Sequence, residues 1–242
     1  MLLIDVGNSR VKWARVQGCE WLNTGGADIT EWPVFHQAIA TLPQSNKILV
    51  SNVAGDESAR QVREACAGWR CPVEFVRPRI EQCGVRNTYE HAAQLGSDRW
   101  AALIAAWHHE RKACLVVSCG TATTIDALSD EGEFLGGLIL PGIVLMHRSL
   151  AAGTAQLSIG RGKWQAFPRN TADSITSGAI QATAGAIIRQ YELLGVPGAR
   201  CLISGGDADS VGNHLAMPLA RMHNLVLQGL QIIGQEGLQR GS

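Results

Sequence analysis

Three short stretches gather residues able to handle a phosphorylated ligand: Asp5-Val6-Gly7-Asn8-Ser9, Gly96-Ser97-Asp98-Arg99 and Ser118-Cys119-Gly120-Thr121-Ala122. A turn that holds a nucleotide triphosphate needs close backbone approach, donors aimed at oxygens, and a carboxylate to keep Mg²⁺ nearby. In the first stretch Gly7 allows the approach and Asn8 and Ser9 donate. Asp5 ends an apolar run, where it can hold magnesium through water, and Lys12 on the returning run can neutralise phosphate charge. The Walker A pattern is absent. Asp, Gly and Asn are also ordinary hairpin residues, so this turn alone leaves a phosphate loop and a plain hairpin both open.

The Ser118 stretch continues through Thr123-Thr124-Ile125-Asp126, adding hydroxyls and a carboxylate. Threonine is a natural strand residue, so some of these are β-formers first. In the Gly96 stretch, Arg99 has the fork that grips a carboxylate or phosphate, and Asp98 can accept a proton from a substrate hydroxyl. Ser97 and Asp98 also suit the first turn of any helix, which leaves a capping role open. His108 and His109 are adjacent and cannot face one ligand together. The seven tryptophans are scattered, which fits core or interface positions rather than base-stacking platforms.

The elements that must position these residues follow from periodicity. Leu2 to Val6 predicts a buried strand and Val11 to Val16 its antiparallel partner. A helix over Asp28 to Leu42 precedes a strand at Lys47 to Val50, a helix over Glu57 to Trp69 and a short strand at Val73 to Val76. Leu95 to Lys112 predicts an amphipathic helix with Trp100, Leu103, Ile104 and Trp107 on one face. Then the pattern restarts. Ala113 to Val117, Thr123 to Leu128 and Glu133 to Leu140 predict strands. Asn170 to Leu194 predicts one long helix, capped by Asn170 or Thr171 and closed by Gly195. A strand at Cys201 to Ser204 leads into Gly205-Gly206, and a C-terminal helix starts near Leu225. The repeat of strand, polar residue, Gly and small polar residue predicts two related α/β lobes, 1–112 and 113–242, with a cleft between them.

Lys+Arg and Asp+Glu are balanced at 21 each, so no basic face points to nucleic acid or an anionic membrane. No apolar run reaches membrane-spanning length. The seven cysteines are odd in number and lack any Cys-x-x-Cys, which fits a reducing cytoplasm better than a disulfide framework or zinc site.

Tyr89 lies seven residues before Gly96-Ser97-Asp98-Arg99. Together with Asp5 to Lys12, Gly120 to Asp126, Gly136-Gly137-Leu138-Ile139-Leu140-Pro141-Gly142, Asn170-Thr171, Ser177-Gly178 and Ser204-Gly205-Gly206, it resembles the type III pantothenate kinases. The matches keep the family's order from residue 5 to residue 206. The family belongs to the acetate and sugar kinase, Hsp70 and actin superfamily. The resemblance implies an α/β fold of duplicated ribonuclease-H-like domains, the actin-like ATPase fold, with a nucleotide cleft between two lobes. It implies transfer of the ATP γ-phosphoryl group to pantothenate, giving 4′-phosphopantothenate, the first step of coenzyme A biosynthesis. ATP phosphates would lie at Asp5, Val6, Gly7, Asn8, Ser9, Arg10, Val11, Lys12 and Thr121, with Mg²⁺ held through Asp5. Pantothenate would lie at Tyr89, Gly96, Ser97, Asp98, Arg99 and Thr171, with Asp98 as proton acceptor. Ser204-Gly205-Gly206 would pass the adenosine. A homodimer is also implied, with the substrate pocket partly formed at the subunit interface.

Two departures stand out. The family usually has Asp at Ser118, where it helps bind potassium or ammonium; serine offers only a neutral oxygen, so that cation needs other ligands or is dispensed with. The family also often has Leu-Pro near Leu157-Ser158, a loop-level difference. Rival readings are a kinase of the same superfamily acting on a sugar or short acid, and a catalytically silent nucleotide-binding accessory or regulatory protein. The Tyr89 and Gly-Ser-Asp-Arg pair argues against the first, and the retention of Asp5, Asp98, Arg99 and Thr121 against the second.

Overall fold

The structure is a computed structural model that describes residues 1–153 and 162–239, so the Leu157-Ser158 departure lies outside the described residues. In chain order the elements are β1 (Leu2–Val6), β2 (Arg10–Gln17), β3 (Glu20–Asp28), α1 (Trp32–Thr41), β4 (Ile48–Asn52), α2 (Asp56–Ala65), β5 (Val73–Phe75), β6 (Glu81–Gln82), β7 (Val85–Asn87) and, after a 3₁₀ turn, α3 (Ser97–Glu110). There follow β8 (Cys114–Cys119), β9 (Ala122–Leu128), β10 (Glu133–Pro141), α4 (Ile143–Gly153), α5 (Thr171–Leu194), β11 (Arg200–Ser204), α6 (Ala208–Gly212), β12 (Leu219–Arg221) and α7 (Leu225–Gln239). Residue contacts group them into two units. The first holds Met1–His109, Gly132–Phe134 and the chain from Asn224 onward; the second holds Glu110–Glu131 and Leu135–His223.

In the first unit the sheet order is β3-β2-β1-β4-β5. β1 runs antiparallel to β2 and parallel to β4, which is itself parallel to β5. Leu2, Leu3, Ile4 and Val6 are fully buried, as the unbroken apolar run of a strand covered on both faces requires. Leu2, Ile4 and Val6 pack with Phe35, Ile39 and Val62 of α1 and α2. On the opposite face Gly234 of α7 comes against Met1 and Leu49.

The second unit repeats that order as β10-β9-β8-β11-β12. β8 is antiparallel to β9 and parallel to β11, which is parallel to β12. Leu115, Val117, Ile125 and Ile203 pack with Ile180 and Ile187 of α5. The restart seen in the sequence is therefore a repeat of topology. Its first turns correspond through register: Asp5 pairs with Lys12 and Ser51, and Ser118 with Thr124 and Ser204.

Several boundaries move. The helix expected from Asp28 starts at Trp32, because Asp28 closes β3 and its carboxylate accepts from the amide and hydroxyl of Thr30 at 2.9 and 2.7 Å. β3 itself has no clear pattern, since Gly25 and Gly26 interrupt it. A Cβ at Gly25 would fall 2.3 Å from the Trp13 indole, so the glycine makes room for that ring. The helix expected to run to Trp69 ends at Ala65. α3 is not the one-faced amphipathic helix expected: every residue from Arg99 to Trp107 is buried. Its alanines account for this, letting backbones come close; Gly229 of α7 sits against the carbonyl of Ala101. α5 is capped as expected, with the Asn170 side chain accepting from the Asp173 amide and Gly195 at φ 66° ending the helix. Among the described residues no helix is long and apolar enough to cross a membrane.

Candidate active site

The first turn leaves β1 at Asp5 and returns on β2. Val6 and Val11 are fully buried and bring only backbone to the turn, while Asn8, Ser9 and Arg10 are exposed. Gly7 donates its amide to the Arg10 carbonyl at 3.0 Å, closing the loop. Asp5 and Lys12 stand opposite each other on neighbouring strands. The Asp5 carboxyl is pushed up to about 7, first by burial and then by the negative charge of Asp98, with Lys12 opposing.

Asp98 lies in the first turn of α3, half-buried, with its Oδ1 accepting the Arg99 amide at 2.8 Å. Burial raises its carboxyl too, while the Arg99 amide and guanidinium hold it down. Gly96 is required here by space: a Cβ would stand 2.5 Å from Asp98 Oδ1. Ser97 is buried, and its hydroxyl is taken up by Ser51 Oγ at 3.0 Å and the Asn52 amide at 3.1 Å. That pair ties the start of α3 to the end of β4, and so places Asp98 relative to Asp5.

Arg99 is 6% exposed. Its Nη1 donates to the Tyr89 hydroxyl at 3.0 Å, and its guanidinium lies 5.7 Å from the Tyr89 ring centre and 5.6 Å from that of Phe134. The rings of Tyr89 and Phe134 meet at 5.3 Å. Cation–π contact of this kind offsets part of the cost of burying a cation. Asp5, Lys12, Tyr89, Gly96, Ser97, Asp98 and Arg99 thus fall within one unit.

The second turn is built differently. Ser118 is half-buried and Thr121 exposed. Gly120 donates to the Ala122 carbonyl at 3.1 Å, and Gly142 donates to the Thr121 carbonyl at 3.0 Å. A Cβ on Gly142 would stand 2.0 Å from the Gly120 carbonyl, and one on Gly205, at φ 102°, would stand 2.2 Å from that of Cys119. Asp207 donates its amide to the Cys119 carbonyl at 3.1 Å, bringing the segment after Ser204-Gly205-Gly206 against this turn. Burial raises the Asp207 carboxyl, and His147 opposes the rise. Thr171 opens α5, exposed, on a groove of about 550 Å³ lined also by Met146, Leu150 and Ile175.

The donor sets fit different ions. Asp5 and Asp98 are carboxyls each raised first by burial, with the charge of Asp98 adding to the rise at Asp5, and a hard divalent cation would offset that charge. Ser118 brings a neutral oxygen that suits a monovalent cation, with Asp207 as the carboxylate packed on the same turn. Sequence reading missed Phe134 and Asp207, and gave Gly142 only as part of a matched stretch. An aromatic in a strand reads by type as core. Asp207 directly follows the matched Ser204-Gly205-Gly206, and that position was the available signal.

The chain is similar to known proteins along its length. The family model described as type III pantothenate kinase matches residues 1–193. The type III pantothenate kinase of Aromatoleum aromaticum is 45% identical over 237 residues, covering 98% of each chain. Among solved structures, a conserved Baf family protein of Campylobacter jejuni superposes with a TM-score of 0.62 at 24% identity, over 99% of this chain and 100% of that one. An inorganic polyphosphate/ATP-glucomannokinase of Arthrobacter sp. strain KM gives a TM-score of 0.50 at 14% identity, over 99% and 98%. At such identities these likenesses speak for the fold. With the repeated sheet order, it is the α/β fold of duplicated ribonuclease-H-like domains, as in the actin-like ATPases.

Proposed function

The chain belongs to the type III pantothenate kinase family, and from that premise we propose that it transfers the γ-phosphoryl group of ATP to the primary hydroxyl of pantothenate. The product is 4′-phosphopantothenate, the first step of coenzyme A biosynthesis. One observation supports the residue roles most: Asp98, a half-buried carboxylate raised by burial, accepts the Arg99 amide at 2.8 Å, and its charge reaches Asp5. A raised carboxyl is a stronger base, and Asp98 accepts the hydroxyl proton as in-line attack proceeds. Arg99, steadied by Tyr89, takes the pantothenate carboxylate, with Gly96 and Ser97 shaping the floor. The ATP phosphates lie along Asp5 to Lys12 and at Thr121. Asp5 would hold Mg²⁺, which when bound would supply charge neutralisation on the phosphates.

The lobe boundary is assigned near residue 112, with Gly132–Phe134 and the chain from Asn224 onward grouping by contacts with the first lobe. The monovalent cation, potassium or ammonium, is assigned to the Ser118 turn. A homodimer is supported by the apolar groove beside Thr171 and by exposed Leu135, Ile139, Val144 and Leu145, and Thr171 is assigned to pantothenate. The balanced charge and the absence of any Cys-x-x-Cys support a cytoplasmic protein without nucleic-acid or membrane partners. Coupled ADP release with and without pantothenate, in Na⁺, K⁺ and NH₄⁺, tests the reading. Pantothenate-dependent ADP is expected; its absence under every cation overturns it.

A further inference from the structure

We propose that Phe134 is a positioning residue for substrate recognition, one that holds Arg99 and Tyr89 in the geometry that receives the pantothenate carboxylate. The inference rests on the assignment of Arg99 and Tyr89 to pantothenate made above. Phe134 is fully buried, and its ring closes a triangle with the other two groups: 5.3 Å to the Tyr89 ring, tilted 36°, and 5.6 Å to the Arg99 guanidinium. Arg99 therefore faces two adjoining aromatic rings, and Tyr89 is held by Phe134 as well as by its bond to Arg99.

The backbone of Phe134 works toward the same end. It pairs with Asn87 across β10 and β7, and its carbonyl accepts from the Thr88 hydroxyl. Asn87 is buried, and its side chain accepts from the Tyr89 amide at 3.1 Å and donates to the Ala92 carbonyl at 3.2 Å. One residue thus fixes both the ring of Tyr89 and the loop that carries it. A long guanidinium left without such a frame must be ordered at each binding event, which weakens affinity without touching the proton transfer. A core residue of the ordinary kind would contribute stability alone.

The two roles separate in kinetics. Phe134→Leu keeps apolar bulk and removes the ring; Phe134→Met is the second ring-free variant should the first fail to fold, and Phe134→Tyr retains the ring. The substrates are pantothenate and its neutral analogue with a hydroxymethyl group in place of the carboxylate. In the ring-free variants KM for pantothenate should rise about tenfold, with kcat and the KM for ATP within about threefold. The preference for pantothenate over the neutral analogue should shrink by the same factor, and Phe134→Tyr should restore it. A ring-free variant that melts at a lower temperature yet keeps the full preference overturns the proposal. A wild-type protein with no preference for the carboxylate removes instead the assignment of Arg99, a distinguishable failure.

Discussion

The turn after β1 and the turn after β8 occupy the same place in two copies of one sheet, yet they are held by opposite means. The first carries charge, with Asp5 at the strand end, Lys12 across from it and Asp98 close by, and its Gly7 to Arg10 tip is closed by one backbone bond. The second carries Ser118 and is gripped by backbone, with Gly142 and Gly205 both packed against its carbonyls. The difference teaches that the duplication kept the scaffold and divided the labour. Carboxyls and a lysine are concentrated in the turn of one unit, and a cradle of carbonyls and amides holds the turn of the other.

The sharpest way to break this comparison is to neutralise the two corresponding positions. Asp5→Asn should lower kcat/KM about 10²–10³-fold, the range for removing one preorganised electrostatic group, while Ser118→Ala should cost less than about tenfold. Equal losses in steady-state kinetics would abolish the proposed asymmetry. Next in size is the cradle. Gly205→Ala combines a left-handed backbone with a Cβ 2.2 Å from a carbonyl, and should destabilise by about 2–4 kcal/mol in denaturant titrations. Gly7→Ala, with a nearest neighbour at 3.5 Å and ordinary φ, should cost about 1 kcal/mol or less.

A third prediction concerns pH. Asp5 titrates near 7 in the folded, ligand-free protein against its usual 3.8. Between those values the unfolded chain has released the proton and the folded one retains it. Stability therefore falls as pH rises through this window and stays lowered above it. Metal-free Asp5→Asn, which mimics the protonated acid, should melt higher than wild type at pH 8, by on the order of 1 kcal/mol after discounting for partial exposure, with the gap closing towards pH 4. A gap that widens in acid has the wrong sign. The smallest effect is expected from Ser118→Asp, which gives the second turn a carboxylate: the ratio of activity in K⁺ to that in Na⁺ should rise a few-fold, about 1 kcal/mol or less. An unchanged ratio would show that the cation does not respond to this position.

Much of this was legible in the sequence because local chemistry decides it. β1 is a run of apolar residues ending in a carboxylate, and α5 carries its own stop signals in Asn170 and Gly195. What was hidden depends on distant partners. Gly25 weakens the strand signal of β3, yet Trp13 fills the space its side chain would need. The apolar face read for α3 did not reveal that its alanines are buried too, since that depends on α7, whose Gly229 sits against the carbonyl of Ala101. In the site, Asp98 and Arg99 were found by their motif, and the resemblance named their roles. Phe134 was not found, since only tertiary contact distinguishes a ring that frames a guanidinium from one that fills a core.

In the proposed reaction Asp98 takes the substrate proton from a geometry fixed by its neighbours. Asp98→Asn tests it most directly, with pantothenate affinity measured by calorimetry alongside turnover. The account predicts a fall in kcat of about 10²–10⁴-fold with the pantothenate Kd within about threefold of wild type. Near-normal turnover with intact binding would contradict it.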